Sequence, residues 1–83
     1  MAYKITYKKS VTRDLKRLAK NEARRIVNTI DEKLSTKPDA FNPLKGKFTG
    51  LRKLPIGNYR VIFAILDKDV LVLRVGHRRE IYR

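Results

Sequence analysis

The sequence predicts an α+β fold in which a helical hairpin packs on a small antiparallel sheet, in the order β-α-α-β-β-β. Three observations predict it. Apolar residues recur every three or four positions through residues 11–34. Strand-forming apolar types crowd residues 51–78 and are interrupted by turn residues. A short segment of alternating polarity precedes both. Helices followed by a run of strands segregate into two layers, which is the α+β arrangement. The 83 residues can build one small core and no second one, so residues 1–83 are taken as a single domain.

Each element has its own justification. Tyr3-Lys4-Ile5-Thr6-Tyr7 alternates apolar and polar side chains, the pattern of a half-buried strand. Ser10 is the expected N-cap of the helix that follows. Val11, Leu15, Leu18, Ala19, Ala23, Ile26, Val27, Ile30 and Leu34 then form an amphipathic stripe. The stripe thins at Lys20-Asn21, which predicts two helices, near residues 10–19 and 22–35, with Pro38 ending the second. Residues 37–50 hold two prolines and two glycines and are expected to form an ordered loop anchored by Phe41, Leu44 and Phe48.

Three strands are predicted after the loop, at residues 51–54, 59–66 and 70–78, joined by Gly57-Asn58 and Asp67-Lys68-Asp69. The middle one is apolar on both parities after Arg60, as a central strand would be. Pro55 has no N–H to donate, so its strand ends there or lies at an edge. A three-residue loop at 67–69 would set Leu66 opposite Val70, Ile62 opposite Arg74 and Arg60 opposite Gly76. Side chains alternate across a strand, so that register puts Arg60, Arg74 and Arg78 on one face. A two- or four-residue loop would break the grouping. Planar guanidiniums with five donors suit phosphate oxygens.

Charge points the same way. There are 21 Lys and Arg against 8 Asp and Glu, a formal charge of +13, with +6 in residues 1–36 and +7 in residues 37–83. A charge of that size repels itself and implies an anionic partner, with nucleic acid first. Arg13, Lys16, Arg17, Lys20, Arg24 and Arg25 fall on the wet side of the helical stripe. Arg60 and Arg78 each interrupt or close an apolar strand, which singles them out. The absence of cysteine excludes disulfides, thiolate catalysis and sulfur-based zinc sites, and the one histidine, His77, leaves no histidine-built metal site. No cofactor is implied. The N-terminus has no apolar signal core and no run approaches 18 apolar residues, so a cytoplasmic protein without membrane contact is expected.

At the C-terminus, Tyr82 lies among Arg78, Arg79 and Arg83, cations that favour phenolate and make it a candidate general base. Glu80 is an ion-pair partner or an acid/base group. His77 alone would ordinarily be structural, and its parity is opposite to that of Arg78. The sequence contains no carboxylate pair, serine triad or glycine-rich phosphate loop.

Gly57-Asn58-Tyr59-Arg60-Val61-Ile62-Phe63, followed by Val75-Gly76-His77-Arg78-Arg79-Glu80-Ile81-Tyr82, resembles the RelE branch of the RelE/ParE toxin superfamily. Leu44-Lys45-Gly46 and Gly50-Leu51-Arg52-Lys53-Leu54 are similar to its Leu-x-Gly and basic-strand segment, and the resemblance spans essentially the whole chain. It implies a microbial-ribonuclease-like fold and a type II toxin–antitoxin toxin. Such a toxin enters the ribosomal A site and cuts mRNA with the RNA's own 2′-hydroxyl, without metal. Carried over residue by residue, Lys53, Arg60, Arg78 and Tyr82 are the implied catalytic set. Tyr82 or Lys53 would be the base, Arg60 and Lys53 the phosphorane clamp, and Arg78 would sit at the leaving oxygen. His77 is the competing acid if the register differs. Lys45, Lys47, Arg52, Arg74, Arg79 and Arg83 are the expected RNA contacts. Pro55 departs from the family, many of whose members are basic there. The implied partners are an acidic cognate antitoxin, mRNA on the ribosome and rRNA. Two other readings compete: a ParE-like gyrase inhibitor and a non-enzymatic RNA- or ribosome-binding module. Lys53 with Arg78 and Tyr82 favours the nuclease.

Overall fold

The computed structural model describes residues 3–41, 43–44, 50–77 and 79. Along the chain run β1 (Lys4–Tyr7), α1 (Lys9–Lys16), α2 (Lys20–Leu34), a 3-10 turn (Pro38–Ala40), β2 (Arg52–Ile56), β3 (Tyr59–Leu66) and β4 (Asp69–His77). The sheet order is β1-β4-β3-β2. The predicted element order is thus observed, but the sheet is not antiparallel throughout. β2, β3 and β4 form an antiparallel meander, and β1 joins β4 in parallel. A parallel neighbour requires a long crossover, which the helical hairpin supplies. Apolar periodicity carries no strand direction, so composition could not reveal this.

The helices and one face of the sheet enclose the core. Val11, Ile26, Ile30 and Leu34 meet Leu54, Ile56, Val61, Phe63, Val70, Val72 and Val75. Phe63 is fully buried at its centre, with Phe41 edge-on to it at a ring separation of 6.4 Å. Phe41 therefore anchors the loop as expected, and the Leu44 N–H donates to the Leu51 carbonyl at 2.8 Å. Phe48, the third expected anchor, lies outside the described residues. Pro38 does not itself end α2. The helix stops at Leu34, and Pro38 opens the 3-10 turn, where its fixed φ suits a first helical position.

Pro55 sits inside β2 rather than after it, because β2 is an edge strand. The two-residue turn at Gly57-Asn58 makes Ile56 and Tyr59 the hydrogen-bonded pair next to the loop. Pairs alternate in an antiparallel ladder, so Pro55 and Arg60 form a non-bonded pair, and the missing N–H is directed at the open edge. Gly57 adopts φ +59, a left-handed value that glycine takes without strain at the first turn position.

The β3–β4 hairpin differs from expectation in two ways that cancel. Its loop has two residues, Asp67 and Lys68, with Leu66 opposite Asp69. Asp67 supplies the required positive φ, at 58°. That loop alone would have reversed the parity of β4. A bulge restores it: Phe63 pairs with Val72 and Ile62 with Arg74, leaving Leu73 as the extra residue. Arg60 thus faces Gly76 and Ile62 faces Arg74, the predicted pairs.

Helix α1 holds this bulge. β1 reaches only to Val72, and beyond it α1 runs along the free edge of β4. The Lys8 N–H donates to the Val72 carbonyl at 2.9 Å, the Ser10 hydroxyl to the Leu73 carbonyl at 2.6 Å, and the Val75 N–H to Asp14 Oδ2 at 2.9 Å. Ser10 is therefore not the N-cap. Lys8 occupies that position without a side-chain cap, and the serine satisfies the carbonyl of the bulged residue instead.

Candidate active site

The hairpin register decides which cations can act together. Leu54 and Val61 are buried against the helices, so the intervening residues Lys53, Pro55, Arg60 and Ile62 belong to the opposite face. The bulge adds Arg74 and Gly76 to that face and turns Val75 into the core. Two cross-strand rows result, Lys53–Ile62–Arg74 and Pro55–Arg60–Gly76. Lys53 and Arg74 are each diagonal to Arg60 across the ladder, a spacing of about 7–8 Å that long side chains bridge.

Lys53 and Arg60 line one open depression of about 360 Å³ at the β2 edge, together with Lys33, Ala40, Phe41, Leu54 and Pro55. Pro55 and Ala40 add only short, uncharged side chains to its wall. Lys33, in the last turn of α2, brings a third ammonium or guanidinium group to this depression. Sequence reasoning did not single it out. It occupies an ordinary wet position of the helical stripe, and only the packing of α2 behind β2 brings it here.

Arg74 shares the face but is already engaged. Its Nε donates to Asp14 Oδ2 at 3.0 Å and its Nη2 to Asp14 Oδ1 at 3.4 Å. Arg52 is also committed: its Nη1 donates to the Phe41 carbonyl at 2.7 Å and the Asp39 carbonyl at 3.4 Å, tying the 3-10 turn to β2. The expected RNA role of these two arginines thus competes with bonds that hold the fold. Arg79 is exposed, and its backbone N–H donates to His77 Nδ1 at 3.3 Å.

His77 pairs with Tyr59, a residue packed against the core, and so lies on the helix side of the sheet. The register pairs it with Tyr59 and sets it apart from the row of Arg60 and Gly76. It meets the Tyr59 ring edge-on, with centroids 6.0 Å apart and planes at 77°. Arg78, Tyr82, Lys45, Lys47 and Arg83 lie outside the described residues, as does Glu80.

Residues 5–82 match the family model of the ParE toxin of type II toxin–antitoxin systems. The chain is 31% identical to toxin RelG of Mycobacterium tuberculosis, over 100% of this chain and 99% of that protein. Among solved structures it is similar to a chain of the M. tuberculosis toxin–antitoxin complex RelBE2, with a TM-score of 0.84 and 28% identity, covering 94% of this chain and all of that one. It is also similar to a chain of the RelB–RelE antitoxin–toxin complex of Methanococcus jannaschii, with a TM-score of 0.66 and 26% identity over 92% and 93% of the two chains.

Proposed function

The chain belongs to the RelE/ParE superfamily and is a RelE-type toxin of a type II toxin–antitoxin system, and on that premise we propose that it cuts mRNA on the ribosome. The observation that carries this reading is the joint placement of Lys53 and Arg60 around one open depression. In the proposed reaction the 2′-hydroxyl attacks the adjacent phosphorus and loses its proton to a base. The P–O5′ bond then breaks, leaving a 2′,3′-cyclic phosphate, and the departing 5′-oxygen takes its proton from solvent water. Charge grows on the non-bridging oxygens of the phosphorane. Fixed donors aimed at such developing charge are commonly the largest catalytic contribution. Lys53 and Arg60 fill that role here.

Arg78 is proposed at the leaving 5′-oxygen, as a clamp rather than an acid, and Tyr82 or Lys53 as the base. Lys45, Lys47, Arg79 and Arg83, with Arg52 and Arg74 where their present bonds allow, are proposed to hold the RNA backbone. The site of action is the cytoplasm, where the message is translated; among the described residues no helix is long and apolar enough to cross a membrane.

The proposed protein partner is an acidic antitoxin segment laid over the cationic face. The formal charge of +13 supports it, as do the antitoxin complexes from which the similar chains come. The family model's ParE designation supports a second reading, inhibition of DNA gyrase, because the Tyr59-Arg60 strand is common to both branches. One experiment separates them. The protein is added to a translation system and to a supercoiling assay, and the message is mapped. Cuts confined to ribosome-bound message, lost in Arg60→Ala, are expected. Supercoiling inhibition with an intact message would replace the nuclease by the gyrase reading, and RNA binding with neither outcome would leave only a binding module.

A further inference from the structure

A second depression opens at the Tyr59–His77 end of the β3–β4 ladder and takes residues from both faces of the sheet. Its volume is about 260 Å³, and its walls come from α1 (Asp14), the turn after it (Arg17, Leu18), Tyr59 of β3 and Arg74 to His77 of β4. None of these residues belongs to the Lys53/Arg60 depression. Its chemistry is different. Two guanidiniums and one carboxylate surround an aromatic pair, Tyr59 and His77, both only partly buried.

We propose that this depression is a nucleobase site, taking one unpaired base of the RNA strand whose backbone is cut at the Lys53/Arg60 depression. The inference rests on the nuclease reading for the identity of the strand. Four features carry it. Single-stranded RNA is recognised by stacking unpaired bases on aromatic rings or guanidinium planes, and both surfaces are present. The volume falls below the roughly 300–1,000 Å³ that encloses a drug-sized ligand, which suits one ring system. Asp14 Oδ2 already accepts two bonds, and Oδ1, which takes only the long 3.4 Å bond from Arg74, keeps acceptor capacity for a base N–H.

The fourth feature is placement. Tyr59↔His77 is the last pair of the ladder, one register step beyond Arg60↔Gly76. Among the described residues the ladder goes no further. Gly76 lines the depression and presents no side chain between the faces. A strand held by its phosphate at Arg60 can therefore turn its neighbouring base past Gly76 into the depression. Asp14 shapes the site as well, since it holds Arg74 and Val75 in place.

The test uses the whole chain and a 2′-O-methyl RNA trinucleotide, which cannot be cut, beside the same trinucleotide without bases and an oligoglutamate peptide. The aromatic NMR signals of Tyr59 and His77 are followed during titration. The trinucleotide is expected to shift both signals and the abasic probe to leave them in place. Tyr59→Leu and, separately, His77→Ala should weaken binding roughly 5- to 150-fold, the span for one stacked base. The amide spectrum of each variant reports whether it is folded. Equal shifts from the abasic probe would overturn the proposal in favour of a phosphate site, and shifts from the peptide alone would overturn it in favour of a protein surface. Cleavage of ribosome-bound message is measured in parallel. An active nuclease without base-dependent shifts defeats this inference alone, and base-dependent shifts without cleavage defeat the nuclease reading alone.

Discussion

Asp14→Ala tests how α1 holds the working half of β4. The carboxylate is 9% exposed and makes two kinds of bond, one to the Val75 N–H at 2.9 Å and one to the Arg74 guanidinium at 3.0 Å. Losing the acceptor leaves a part-buried N–H without its partner, at a cost of about 1–3 kcal/mol. The ion pair adds less. Arg74 is 50% exposed, and pairs open to solvent contribute roughly 0.2–1 kcal/mol. Alanine returns up to about 0.7 kcal/mol through its better helix propensity. The net expectation is a loss of about 2 kcal/mol, a drop in Tm of roughly 8–16 °C for a domain of this size. Asp14→Asn retains an oxygen for Val75 and should cost about half as much. Arg74→Ala should cost less than about 1 kcal/mol. Urea and thermal unfolding measure all three, and hydrogen exchange at the Val75 amide reports the local bond. If Arg74→Ala costs as much as Asp14→Ala, or Asp14→Ala is neutral, the backbone bond is not what pins β4.

Phe63→Ala removes the largest buried side chain of the sheet and should cost about 3–5 kcal/mol, a large share of a small domain's stability, read as a lowered midpoint in an equilibrium denaturation experiment. Tyr7 should titrate above its ordinary value of 10.0, because burial and the charge of Asp31 both disfavour its phenolate. The neutral phenol is the form that the fold favours. Its contribution to stability is therefore complete below about pH 10 and is lost as pH rises through the folded value. Phenolate absorbance should show a late-titrating tyrosine that disappears in Tyr7→Phe and moves down in Asp31→Asn.

The residues that matter were legible in unequal degree. The turn chemistry at Gly57-Asn58 and the apolar run after it placed β3 as central, and Arg60 then stood out as a charge in an apolar strand. The Arg60–Gly76 pairing was right for an incomplete reason. It assumed a three-residue loop, whereas the chain uses two residues and a bulge. A bulge leaves no periodic trace where apolar residues adjoin, and here the extra residue Leu73 directly follows Val72 in an apolar run. Ser10 and Asp14 were unreadable for a related reason. Their partners lie 63 and 61 residues away on β4, and nothing local distinguishes a serine that caps its own helix from one that satisfies a distant carbonyl. Pro55 left two options open, and only the sheet order chose the edge.

The account holds that position, not total charge, makes Arg60 and Lys53 catalytic. Single-turnover cleavage of ribosome-bound message should compare Arg60→Ala and Lys53→Ala with Lys68→Ala. Lys68→Ala removes the same charge from the exposed β3–β4 turn. A loss of about 10²- to 10³-fold at each of the first two positions, with Lys68→Ala close to the unmodified protein, is the expected result. Equal losses at all three would mean that the positive charge serves only to attract RNA, and would contradict a site built on the face of β2 and β3.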